Sequence, residues 1–346
     1  MKKIKLLLIL SSILYLSSCT SSLRLNVLQP ATIYVPAEIK TIALVNRTKP
    51  MSKAANVIEG VLSGEGLFQD KSGVDKALGG LFAELKDSPR FKIVVTNLYI
   101  KGSGNGAVFP PPMDWQEVAD ICQQYGADGI CTIETYDSDT RIVPTRTVTR
   151  KTGTDGKPYD YIEFTATQTV TVQLGFRLYN PAAKTIVDQY HFTEQQNWTS
   201  RGTTEAMAIG GLINKNAASD QVSNAAGVKY AFRIAPEWIW VTRTFYSKGG
   251  HSDMKKAGRL AKVNNWQEAR KVWMGLLGVE RKIAGKAAYN IAVSYEYEGD
   301  LEKAKYWASK AYTEFGNKSA RNYVNILQNR INDVNRLNQQ MQGVGN

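Results

Sequence analysis

Two histidines, three cysteines and one close-set group of carboxylates are the residues of this 346-residue chain whose types could carry chemistry. His191 and His251 lie sixty positions apart, and neither belongs to a His-Glu-x-x-His pair, so the spacing offers no histidine metal site or catalytic triad. Cys-x-x-Cys and Gly-x-Ser-x-Gly are also missing. Glu134, Asp137 and Asp139 form the local carboxylate cluster. Hard cations take oxygen ligands, so the trio could hold a Ca²⁺-like ion, or Glu134 could serve a hydrolase. The spacing is that of no known ion loop, and turns at strand ends collect aspartates for their own reasons. No catalytic residue, metal ligand or cofactor is therefore assigned. Cys122 falls on a helix face and Cys131 in a strand, where buried free thiols are expected and a disulfide is the alternative.

Cys19 is different because of what precedes it. Met1-Lys2-Lys3-Ile4-Lys5 is a basic lead, Leu6–Leu16 is a short apolar run, and Ser17-Ser18 puts small residues before the cysteine. Basic, apolar and small regions in that order make a secretory signal. The run falls well short of the ~20 residues that a membrane-spanning helix needs. Leu16-Ser17-Ser18-Cys19 resembles the bacterial lipobox, which implies a signal peptide over 1–18 and lipid on Cys19. Thr20, Ser21 and Ser22 follow without an acidic residue, unlike an inner-membrane retention signal, so an outer-membrane lipoprotein facing the periplasm is expected.

Composition excludes several classes. A hydrophobic fraction of 43% and a charged fraction of 21% describe a folded protein, and the length allows two domains. The net charge of +12 is unevenly spread. Lys2, Lys3 and Lys5 leave with the signal, and the stretch from His251 onward carries sixteen Lys and Arg against nine Asp and Glu. An exported chain gives that basic quarter no nucleic acid to meet; anionic lipid, lipopolysaccharide or an acidic protein remain, beside a solvated surface with no partner.

The elements follow from periodicity and turn chemistry. Residues 19–36 read as a tether, broken by Pro30 and Pro36. Ile39–Asn46 is a strand ending in the Arg47–Pro50 turn, and Ser72 can cap a helix with Val74, Ala77, Leu78, Leu81, Phe82 and Leu85 on its apolar face. Phe91–Val95 is the next strand. The Gly102–Gly106 cluster lacks the Gly-Lys-Ser/Thr of a phosphate loop and reads as flexible punctuation. Asp114 and Glu117 make a capping box for a helix that Gly126 ends, before a strand Ile130–Tyr136. Arg141–Arg150 and Tyr159–Tyr179 flank the Lys151–Pro158 turn, Thr185–Phe192 pairs back, and Ser219 caps another helix. Trp238, Trp240, Phe245 and Tyr246 crowd one segment, fit either for a sugar platform or for a seam between domains.

Ile39–Asn46, Gly80–Val95 and Val118–Tyr136, with the hairpin Phe176–Pro181 and Thr185–Asp188, resemble the CsgG-like lipoprotein domains. Gly227, Tyr230, Ile234, Pro236, Trp238 and Arg243 resemble positions of an uncharacterised Gram-negative lipoprotein family with a helical tail. Further on, Ala257, Leu260, Ala269 and Trp273 recur 35 residues later as Ala292, Tyr295, Ala304 and Ala308. Each unit pairs two helices about a short turn and resembles a tetratricopeptide repeat, with a last helix (Tyr323, Ile326, Leu327, Ile331, Val334, Leu337) as cap. The expected fold is α+β: a CsgG-like α/β sandwich over 37–250, then an all-α tetratricopeptide-like module over 251–346. Trp266, Trp273, Tyr295 and Trp307 are the expected partner-binding residues. The expected role is a lipid-anchored, non-enzymatic envelope scaffold that holds an envelope protein. An oligomeric secretion or pore subunit, with the Arg141–Tyr179 hairpin giving barrel strands, and an envelope-polymer hydrolase are the alternatives.

Overall fold

The computed structural model describes residues 20–49, 69–102 and 108–342. The signal 1–18, Cys19, the Ser63–Gly66 passage and Ser103–Gly106 lie outside the described residues. The chain is α+β, with a five-stranded sheet and a helical C-terminal part. Its described residues divide into two compact units, one within Pro30–Glu237 and 340–342, the other made of Thr20–Gln29 with Trp238–Gln339.

In the α/β unit, strands β2 (Thr41–Lys49), β3 (Lys92–Lys101), β4 (Gly129–Thr152), β5 (Pro158–Asn180) and β6 (Thr185–Gly202) stand in the order β3-β2-β4-β5-β6. β2 is parallel to both β3 and β4, while β4–β5 and β5–β6 are antiparallel. Helices α1 (Gln69–Leu85) and α2 (Trp115–Tyr125) join the parallel strands; α3 (Glu205–Gly210) and α4 (Lys215–Ile234) follow β6. α1 and α4 lay Val74, Ala77, Leu81, Val222, Ala226 and Tyr230 on one face of the sheet, over Ile42, Leu44, Ile133 and Phe176. α2 covers the other with Val118, Ile121 and Cys122 against Val45, Ile130 and Tyr179.

The expected caps of α2 form: Asp114 accepts from the Gln116 amide at 2.8 Å, and Gly126 takes a left-handed φ of 62°. Asp128, next along, accepts from the Lys40 and Thr41 amides and so fixes the start of β2. Two other expected caps do not form. Ser72 lies inside α1 and donates to Asp220, and Ser219 lies buried inside α4, whose cap is Asn214. β2 also runs through Arg47 to Lys49, where a turn was expected. The expected strands 130–136 and 141–150 are one 24-residue strand, because Asp137–Thr140 keep their pairing to Val170–Gln173 of β5.

α1 and α4 cross backbone to backbone. A Cβ on Gly227 would fall 1.9 Å from the Ala77 carbonyl oxygen, whereas one on Gly79 would meet nothing within 4 Å. Gly227→Ala is thus expected to lower stability by about 1–3 kcal/mol through overpacking, and Gly79→Ala to raise it by up to about 1 kcal/mol through helix propensity. Urea unfolding of the two variants checks the opposite signs.

In the other unit, residues 20–29, expected within a tether, form strand β1 (Thr20–Gln29), paired with β7 (Glu237–Tyr246). Helices α5 (Ser252–Lys262), α6 (Trp266–Met274), α7 (Arg281–Tyr297), α8 (Leu301–Thr313) and α9 (Lys318–Gln340) complete it. Small residues at the expected 35-residue offset, Ala257/Ala292 and Ala269/Ala304, are buried in its core. Trp266, Trp273, Phe245 and Tyr323 fill the spaces between helices. Among the described residues no helix is long and apolar enough to cross a membrane.

Candidate functional site

On the α2 side of the sheet, β2, β4 and β5 bring Arg47, Glu134, Arg177 and Tyr179 together. Parallel pairing sets Val45 beside Thr132, so Arg47 and Glu134 are next in line on the same face. A register shift between Ile133 and Thr135 makes Glu134 the extra residue of a β-bulge, past which the alternation flips and Tyr136 joins the opposite face of the sheet. The carboxylate is fully buried. Oε2 lies 2.5 Å from Arg47 Nη1 and 3.7 Å from Arg177 Nη1. Oε1 accepts from the Thr132 and Tyr179 hydroxyls, both at 2.7 Å.

The same cluster seizes the loop before α2. Arg177 donates to the Pro110 carbonyl at 2.8 Å and packs over the Phe109 ring, and the Met113 amide donates to the Tyr179 hydroxyl. A Cβ on Gly102 would strike the Arg47 carbonyl oxygen at 1.8 Å, so the glycine there serves a close approach. These contacts pin Phe109, Pro110 and Met113 to the sheet. Burial first, then the Glu134 charge, push the Tyr179 hydroxyl up to about 12.

A carboxylate held by two guanidiniums and two hydroxyls has its lone pairs engaged and is poorly placed to take a proton from a substrate. Glu134 is here a structural anchor. Asp137 and Asp139 are half-buried and exposed along the same strand; burial and the Asp139 charge raise the Asp137 carboxyl above the usual range. Among the described residues no group of three His, Cys, Asp or Glu side chains is placed to hold a metal ion. Cys122 and Cys131 are both buried and free, and burial pushes the Cys122 thiol up to about 11.

The helical unit repeats the same chemistry on other residues. Glu296 of α7, fully buried, accepts from Arg243 of β7 at 2.9 Å, from Arg330 at 2.6 Å and from the Tyr323 hydroxyl at 2.5 Å. His251 caps α5 through Nδ1, which accepts from the Asp253 amide, and His191 sits in β6 of the other unit beside Phe109.

The expected partner-binding residues divide into two pairs. Trp266 and Trp273 come together in the core with their rings 6.4 Å apart and almost no exposure, so they hold helices and are not available to a partner. Helical periodicity put them on the right face, but only burial tells a core face from a groove. Tyr295 and Trp307 are half-buried at the surface. Arg270 lies over the Tyr295 ring at 4.1 Å with Lys303 at 5.6 Å, and Lys310 lies over Trp307 at 5.4 Å beside exposed Tyr306. Aromatic rings with cations over them are the side chains that protein interfaces favour. The Trp-rich segment divides as well: Phe245 is core, while Trp238 and Trp240 stand out in solvent.

Residues 39–246 match the family described as Domain of unknown function (DUF8603), and residues 255–329 match that described as Domain of unknown function (DUF6340). The chain belongs to the DUF8603 family. The DUF8603 match takes in the whole Arg47–Glu134–Arg177–Tyr179 cluster and ends at β7, and the DUF6340 match begins within α5. Among solved structures the chain is similar to the PelC dodecamer from Paraburkholderia phytofirmans, at 10% identity and a TM-score of 0.22, over 62% of this chain and 98% of that one. It is also similar to a neuraminyllactose-binding hemagglutinin homolog from Helicobacter pylori, at 11% identity and a TM-score of 0.21, over 70% of this chain and 94% of that one. No curated protein matches.

Proposed function

We propose that this protein is a lipid-anchored, non-enzymatic scaffold of the cell envelope, held by Cys19 in the outer membrane and facing the periplasm. The α/β unit is its body, of the CsgG-like kind, and the helical unit is a short tetratricopeptide-like array that holds an envelope protein. The observation that carries the reading is the aromatic and cationic surface of Tyr295, Tyr306, Trp307, Arg270 and Lys310 on the helical unit of a chain that opens with a lipobox-like signal. A half-exposed aromatic surface, edged by Arg270 paired with Glu298 and Lys310 paired with Glu314, suits a protein partner that can share those charges, and the buried carboxylates hold strands and helices.

The test is crosslinking in intact cells followed by recovery of the full chain, for the parent and for Tyr295→Ala with Trp307→Ala. The expected result is a discrete partner recovered by the parent and at least tenfold less by the variant. Equal recovery by both, or none by either, counts against the scaffold. Cys19→Ser with a fatty-acid probe tests the anchor: the reading requires loss of label and of membrane attachment. A secretion or pore subunit draws on the length of β4 and β5, yet the row Ala166, Gln168, Val170, Val172 that would face lipid is fully buried. A monomeric mass in detergent, without bilayer conductance, would dispose of that alternative.

A further inference from the structure

The β1–β7 ribbon is two-faced. On β7, Ile239, Val241, Arg243 and Phe245 alternate inward, and Phe245 reaches the helical core. Trp238 and Trp240 alternate outward and are 56% and 61% exposed. On β1, Leu23 and Leu25 pack inward, while Arg24 is exposed and lies over the Trp240 ring at 5.0 Å. Two neighbouring indoles left this open cost solubility and give nothing to the core.

We infer that the outer face of this ribbon, Trp238, Trp240 and Arg24, lies against the phospholipid surface and fixes how the protein sits on its membrane. The inference rests on the lipoprotein reading for its distances. β1 begins at Thr20, the residue after Cys19, so no spacer separates the anchor from the ribbon. At about 3.3 Å per residue, the Arg24 backbone is held within roughly 17 Å of an acylated Cys19. Indole rings prefer the membrane–water interface, where the ring is half in hydrocarbon and its N–H meets headgroup oxygens. A guanidinium beside them pairs with phosphate in bidentate fashion. A sugar or protein ligand would also use exposed tryptophans, but neither accounts for their place one short strand from the acylation point.

The experiment uses the full chain in vesicles of phosphatidylcholine and phosphatidylglycerol, the phosphatidylcholine brominated on its acyl chains. Expected are quenching of part of the tryptophan emission in the parent and loss of that quenching in Trp238→Phe with Trp240→Phe, whose circular dichroism should match the parent. No quenching in the parent, or equal quenching in the variant, overturns the membrane face. The mass of the Cys19 peptide is read in parallel. An unmodified Cys19 removes the lipoprotein reading, while the quenching still decides the ribbon on its own.

Discussion

Glu296→Ala is expected to destabilise the helical unit by about 3–5 kcal/mol, the cost of stripping the partner from a buried charge pair. The carboxylate has no exposure and ties three elements: Arg243 of β7, and Tyr323 and Arg330 of α9. Alanine removes the negative charge and leaves two largely buried guanidiniums facing each other. Against a domain stability of about 5–15 kcal/mol, such a loss takes the unit near its threshold. Glu296→Gln keeps the shape and an acceptor for Tyr323 while losing the charge, so a smaller loss is expected of it. Lys271→Ala, which breaks the exposed Lys271–Glu268 pair, is expected to change stability by less than about 1 kcal/mol. Urea unfolding followed by tryptophan emission suits the comparison, because Trp266 and Trp273 lie in the same unit. A Glu296→Ala midpoint equal to that of Lys271→Ala would mean that the cluster holds nothing.

What the amino-acid sequence disclosed is what local physics determines. The α2 caps Asp114 and Gly126, the turn between β4 and β5, and the 35-residue offset of small residues all rest on contacts within a few residues or on simple periodicity. Where local cues mislead, the cause is long-range. The alternation of Leu23, Leu25 and Val27 in β1 was visible, but its partner β7 lies more than two hundred positions on, and without it ten residues after a signal look like a tether. Asp137–Thr140 look like a turn by composition, yet an unbroken ladder to β5 carries them through as strand. Glu134 stood out as a carboxylate in an apolar run, which invites a catalytic reading. Its neutralising arginines come from β2 and β5, and nothing near position 134 announces them. A lone acidic residue inside an otherwise apolar strand is better read as a request for an arginine elsewhere in the chain.

Glu134→Ala is expected to cost the α/β unit about 3–5 kcal/mol, since Arg47 and Arg177 would be left buried beside an empty place. A structural role alone would stop there, but the cluster has a second signature. Tyr179 is held up to about 12 by burial first and by the Glu134 charge and hydrogen bond next. In the parent the folded state therefore keeps a proton that the unfolded state gives up near 10. The resulting stability is complete below that ordinary value and is lost as pH rises through the folded one. Removing Glu134 takes away the second and third causes and leaves burial, so the Tyr179 titration should fall and the alkaline window narrow. If Glu134→Ala does not fold, Glu134→Gln gives the same direction with the packing kept. Ultraviolet titration of the parent, of that variant and of Tyr179→Phe isolates the one hydroxyl. An unmoved Tyr179 titration together with unchanged stability would show that Glu134 neither charges nor anchors this face of the sheet.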